Sequence, residues 1–336
     1  MKFRVAVMAL AVAALVAIVA ASAPPAAAQG PSPQPAKTFR KRVLAWADVR
    51  NGYQHDAINH AIATIEQLGW QSGDFETYIR TDSQLITRRP ITFKQGTGIA
   101  TGEQFNVRNL DYFDAIFFFG VREIDLTPEQ RADLLSFVSE GKGFVAAHSA
   151  STAFFSWPEF GEMLGGRFDE HPWGISEANV IVEDRKFPAM LQFTPGARVR
   201  DELYQLKDFS RDKVRVLARL DPRGLDLTKP LVHRTDGDFP VAWAKTYGKG
   251  RVFYSTLGHE PTSWDTPLIQ QMYFQALRWA LGLVEGDARP LPPPPPLPAG
   301  EGKPAVEKMC SGCHGITTST GVRHTRLEWM GIIDLM

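Results

Sequence analysis

Cys310, Cys313 and His314 stand as CSGCH near the end of the 336-residue chain, and they are its only two cysteines. C-x-x-C-H is the form of covalent haem attachment: two thioethers from the cysteines and an axial bond from the histidine. The rest of the chain carries a second set of chemically able residues, spread out rather than clustered. Six of the eight histidines lie in it, and four follow segments that read as strands: His55 in NGYQHD, His148 before Ser149, His171 in DEHPWG and His259 in TLGHE. RDELY adds Asp201 and Glu202. Imidazole and carboxylate together suit proton transfer near neutral pH or a divalent cation.

Three chemistries compete for these residues. A cysteine nucleophile at a strand-to-helix turn is excluded, since no cysteine precedes residue 310. A serine hydrolase would use Ser149 in AAHSAS with His259 late in the chain, but alanine and serine replace both glycines of G-x-S-x-G and no H-G-G-G segment is present. A His/Glu pocket would act by acid–base catalysis or hold a divalent metal through His55, His148, His171 and His259. No close-spaced ligand motif such as H-E-x-x-H supports the metal option, and no G-x-G-x-x-G supports a nucleotide redox cofactor.

The elements that must position these residues alternate in type. RVLAWADV (42–49), FETYIR (75–80), YFDAIFFFG (112–120) and GFVAAHSA (143–150) read as buried strands. DAINHAIATIEQLGW (56–70) has helical apolar spacing. LTPEQRADLLSFVSEG (126–141) has Thr127 as N-cap and Pro128 in the first turn. This order implies an α/β fold with an open parallel sheet and helices on both faces, whose ligands bind at the carboxyl ends of the strands. Strand-rich stretches follow at 177–184, 199–206, 214–220 and 239–258, the last turning at Gly248-Lys249-Gly250, and TPLIQQMYFQALRWALG (266–282) is a closing amphipathic helix.

Composition sets the surroundings. Lys+Arg and Asp+Glu are both 37, so no basic excess points to nucleic acid. Residues 1–28 have a basic start, an apolar run and an A-x-A cleavage site, which predicts a signal peptide and an exported, periplasmic protein with no stable membrane anchor after cleavage. Residues 29–40 are a polar lead and 41–284 the body. Residues 285–303 are a Pro-rich linker with extended polyproline II character, and 304–336 form the haem segment.

The body resembles the ThuA-like (trehalose utilisation) family, with the flavodoxin-like sheet of the class I glutamine amidotransferase superfamily. The resemblance rests on YQHD, GKGFVAAHSA, FGEMLGGRFDEHPWG, RDELYQL, FPVAWAKTYGKGRVFYSTLGHE and LRWALG, across residues 42–284. It implies a histidine, here His148, where the amidotransferases keep their cysteine. It implies carbohydrate metabolism on glycosides or keto-glycosides, with catalytic His148, His171, Glu202 and His259 and substrate-binding His55. Tyr53, Trp173 and Trp243 are candidates to stack on a sugar face, with core packing as the competing role. The alternative is a non-catalytic module that binds a sugar or a partner protein.

The tail resembles a small class of cytochrome c domain in which an R-x-x-W-x-x-x-x-x-M helix follows the haem motif. Met336 would then be the distal ligand, and a redox partner protein would exchange electrons with the haem. Residues 304–336 have too little core to bury a haem alone, so the chain reads as a fragment of a longer protein with an incomplete all-α cytochrome c segment.

Overall fold

The computed structural model describes residues 39–50, 54–94, 104–291, 300–310 and 330. Tyr53, the residues expected to hold haem (Cys313, His314 and Met336) and the expected signal peptide lie outside the described residues, as does most of the Pro run.

Thirteen strands and five α-helices are described. The strands are β1 (Lys41–Trp46), β2 (Phe75–Arg80), β3 (Ile91–Lys94), β4 (Gln104–Val107), β5 (Ala115–Phe118), β6 (Gly143–Ala147), β7 (Arg167–Glu170), β8 (Ile175–Val182), β9 (Arg198–Glu202), β10 (Gln205–Lys207), β11 (Arg215–Leu220), β12 (Pro240–Tyr247) and β13 (Gly250–Ser255). The helices are α1 (Ala57–Ser72), α2 (Pro128–Ser139), α3 (Pro158–Leu164), α4 (Pro267–Ala280) and α5 (Lys303–Cys310). Nine strands form one sheet in the order β2-β1-β5-β6-β13-β12-β11-β8-β9. The pairs from β2 to β13 are parallel; those from β13 to β9 are antiparallel. The sheet is therefore mixed, and the expected open parallel sheet accounts for one half of it.

Why the parallel half is buried on both faces follows from its side chains. AIFF of β5 and GFVAA of β6 are buried at every position. Successive residues alternate faces. Val43, Ala45, Phe117 and Val145 join one core with Ile58, Ala61, Ile62 and Ile65 of α1 and Met272, Tyr273, Ala276 and Leu277 of α4. Leu44, Trp46, Phe118 and Phe144 join a second core with Leu134, Phe137 and Val138 of α2 and Phe160, Met163 and Leu164 of α3. α1 ends where Gly73 turns left-handed and its N–H reaches the Gly69 carbonyl. At the start of α2 the Thr127 hydroxyl accepts from the Gln130 N–H, and the Gln130 side chain answers at the Thr127 N–H, a capping box.

The antiparallel half carries its own polar fastening. Arg211 pairs with Glu183 and Asp238 at 2.7 Å each, and Arg219 approaches Glu183 at 3.0 Å. The two halves meet along β13, whose ladder is parallel to β6 on one side and antiparallel to β12 on the other.

Phe117 is fully buried and meets the rings of Trp264 and Tyr273 edge-on, at 5.9 and 5.8 Å. Truncation there leaves a cavity between the sheet and the segment that leads into α4. Phe117→Ala is expected to lower the unfolding free energy by about 3–5 kcal/mol, read as a drop in the urea midpoint at constant slope.

Candidate active site

His148 is the first residue after β6 and opens a tight turn over His148–Thr152. Its φ is +44°, a left-handed conformation that a non-glycine residue adopts at a cost of about 1–3 kcal/mol. Three contacts hold it there. The Tyr254 hydroxyl donates to the His148 carbonyl at 2.7 Å, Ser151 Oγ does so at 3.3 Å, and His148 Nδ1 donates to the Thr256 carbonyl at 2.6 Å. The last bond follows from register: Ala147 opposes Ser255 in the parallel pair β6/β13, so the next residues face each other.

A carbonyl oxygen only accepts, so Nδ1 of His148 carries a proton and Nε2 is the nitrogen left facing the pocket. Nε2 lies 2.9 Å from His259 Nδ1, 2.9 Å from the Tyr204 hydroxyl and 3.4 Å from Glu202 Oε2. His259 Nδ1 is also 3.2 Å from Glu202 Oε2. His55, just before α1, stands edge-on to both other rings, with centroids 4.9 Å from His148 and 5.0 Å from His259. Donor atoms of His55, His148, Glu202 and His259 all fall within 4.8 Å of one another, so these four could hold a metal ion.

Glu202 ends β9, the last strand in the sheet order, yet it reaches the ends of the parallel strands. The neighbouring Asp201 carboxylate explains this. It is 1% exposed and accepts from the backbone N–H of Gly258 (2.8 Å) and His259 (3.0 Å), from the Ser263 hydroxyl (3.2 Å) and from the Glu202 N–H (2.9 Å). It thereby ties the end of β9 to the loop after β13. Gly258 within that loop has φ +117°, and a Cβ there would meet Trp264 at 2.9 Å, so only glycine fits the clamp.

The charge states follow from the packing. Burial pushes His55 down to about 3, and the charges of His148 and His259 add to this, so its ring is neutral. Burial opposes ionisation of Glu202, but hydrogen bonds from His148 and His259 outweigh it and hold the carboxyl well below its usual range. The hydrogen bond to Glu202 raises His259 against its burial. Burial and the Glu202 charge raise Tyr204, whose hydroxyl stays protonated.

Four of the residues expected from the sequence thus converge: His55, His148, Glu202 and His259. His171 does not join them. It is 46% exposed and its Nε2 stands 3.9 Å from the other carboxylate oxygen of Glu202, at the rim. Trp243 is fully buried, bonded to the Leu164 carbonyl and packed on Tyr254 at 4.6 Å, so it is a core residue and no sugar platform. Trp173 is 7% exposed, with its indole N–H on the Asp226 carbonyl and its ring against Phe239, and it too belongs to the core. Ser149 is fully buried and its hydroxyl donates to the Gly120 carbonyl, not to His259, which removes the basis for a serine nucleophile. Sequence reasoning missed Tyr204. The period of two was the available signal: positions 202 and 204 fall on one face of an extended chain.

The sequence profile of the ThuA family, described as trehalose utilisation, matches residues 42–280. The chain belongs to that family. Its fold is similar to a putative ThuA-like protein from Bacteroides uniformis ATCC 8492, at 21% identity and TM-score 0.57, over 75% of this chain and 95% of that one. It is also similar to a putative ThuA-like protein from Parabacteroides merdae ATCC 43184, at 18% identity and TM-score 0.52, over 72% and 90% of the two chains. No curated protein matches the sequence. Membership connects the chain with trehalose or carbohydrate utilisation in general terms. The match leaves residues 1–41 and 281–336 outside it. Among the described residues no helix is long and apolar enough to cross a membrane.

A neutral buried imidazole has a pH signature. His55 has a depressed pKa in the folded state, so between about 6.5 and 3 the unfolded chain binds the extra proton. Its contribution to stability is present above pH 6.5 and is lost as the pH falls below it. Chemical denaturation of the metal-stripped protein is expected to show this loss between pH 6.5 and 5, and His55→Gln is expected to flatten that limb.

Proposed function

We propose that the chain acts on a carbohydrate derivative, a glycoside or keto-glycoside, by acid–base chemistry in the pocket of His148, Glu202, His259 and Tyr204. One observation carries the reading: a buried imidazole fixed in one tautomer, with its other nitrogen against a carboxylate and a second imidazole. Family membership supports the carbohydrate class. Such a group of coupled donors and acceptors passes protons between substrate atoms without solvent. Glu202, held ionised, is the base for a proton on the sugar carbon or hydroxyl. His259, whose hold on its proton Glu202 strengthens, is the acid for the departing or developing oxygen. The Tyr204 hydroxyl donates a hydrogen bond to an oxyanion beside His148. His171 at the rim meets substrate as it enters.

Turnover on a panel of oxidised and unoxidised glucosides tests this. Glu202→Gln and His148→Ala are expected to lower kcat at least about 100-fold, the usual contribution of a positioned proton-transfer group. Tyr204→Phe is expected to lower it less. Turnover unaffected by these changes would remove the pocket from the reaction. Saturable sugar binding with no turnover in the parent protein would leave a binding module.

The proposal includes export to the periplasm and covalent haem c on Cys310 and Cys313, with His314 and Met336 as axial ligands and a redox partner protein for the electrons. Sequence motifs support this part. Of these residues only Cys310 is described, at the end of α5. Expression with an active haem-maturation system is expected to give haem that survives denaturing electrophoresis. Cys310→Ala together with Cys313→Ala is expected to abolish it.

A further inference from the structure

We propose that His55, His148, Glu202 and His259 bind one divalent transition-metal cation, zinc or an ion of similar borderline character, with Tyr204 beside the centre and His171 outside it. Three imidazole nitrogens and one carboxylate oxygen form a donor set suited to zinc, cobalt, manganese or iron, and a poor one for calcium.

Spacing is the first argument. Tetrahedral bonds of about 2.1 Å place donor atoms about 3.4 Å apart. Three of the pairs here measure 2.9, 3.2 and 3.4 Å, and all four atoms lie within 4.8 Å of one another. The set is close enough to close on an ion through small rotamer adjustments.

Proton counting is the second. His148 gives its Nδ1 proton to Thr256. In the neutral ring the Nε2 lone pair then faces His259 Nδ1 and the Tyr204 hydroxyl at 2.9 Å each, with Glu202 at 3.4 Å. A cation at that point would take one lone pair from each neutral imidazole and one from the carboxylate oxygen. The third argument is the support behind the donors. A backbone carbonyl orients His148, and the buried Asp201 carboxylate fixes the backbone of His259 and Glu202. Metal ligands are typically held this way from behind.

The assignment differs from the sequence expectation in one ligand, Glu202 in place of His171. His171 stands 3.9 Å from Glu202 Oε1, on the far side of the carboxylate from the two rings that Oε2 meets.

The inference concerns the same pocket as the proposed activity: with an ion in place Glu202 and His259 serve as its ligands instead of as base and acid, and the two readings fail separately, since one is scored by metal uptake and the other by sugar turnover. The test uses the full chain with Cys310→Ser and Cys313→Ser, so that CSGCH cannot take up metal. After chelator treatment, Zn2+ is titrated calorimetrically and Co2+ by visible absorption. The expected result is one ion per chain, with the intense bands of low-coordinate cobalt. His55→Gln and Glu202→Gln are each expected to weaken binding at least about 100-fold, while His171→Ala leaves affinity unchanged. Both glutamine variants keep side-chain volume, and their thermal melts establish that they fold. Absence of stoichiometric uptake would overturn the proposal and leave a metal-free proton relay. Uptake that survives both glutamine variants, or that is lost equally in His171→Ala, would overturn the ligand assignment.

Discussion

The buried carboxylate of Asp201 is the interaction on which the rest of the site depends. An ionised group with 1% exposure loses most of its hydration, a cost of several kcal/mol unless donors replace the water. Here four do: three backbone N–H groups and the Ser263 hydroxyl. These donors come from the far edge of the antiparallel half and from the loop after β13. Satisfying one charge therefore folds the antiparallel half back over the parallel strand ends. Glu202 is carried next to His148 by that constraint. Strand order alone would put β9 at the opposite end of the sheet.

A second constraint acts at His148. The turn after β6 needs a left-handed residue, and one of the three contacts that hold it, from Nδ1 to the Thr256 carbonyl, also selects the ring's tautomer. Backbone strain and side-chain chemistry are settled at one position, as is common where a reactive group is set at the end of a buried strand. The parallel half of the fold supplies the rigidity, since β5 and β6 are buried on both faces and cannot shift without opening one of the two cores.

Much of this was legible in the residues. FETYIR is β2 at the expected bounds, and Thr127 and Pro128 begin α2 as capping chemistry requires. The hairpin of β12 and β13 turns at Gly248. The histidines at strand ends led to the pocket because an open sheet presents its carboxyl ends to ligands. Other features had no local signal. α3 is a seven-residue helix containing Gly161, and β7 is four residues without alternation. The segment 199–206 reads as one strand but breaks between β9 and β10, with Leu203 and Tyr204 in the break. Antiparallel pairing in the second half could not be read from composition, since alternation gives a strand's faces and not its neighbours. Trp173 and Trp243 take the core-packing role that competed with sugar stacking: an aromatic next to polar residues in sequence can still point into the core.

His55, His148, Glu202 and His259 come from four distant parts of the chain, and each is placed by a different element: the start of α1, the end of β6, the end of β9 and the loop after β13. Contacts of such large sequence separation close only after the costs of loop closure have been met by the surrounding packing. Among the described residues no single helix or hairpin carries all four. The cluster is thereby deferred until assembly is complete, and a nascent or partly opened chain lacks it however much secondary structure it has acquired.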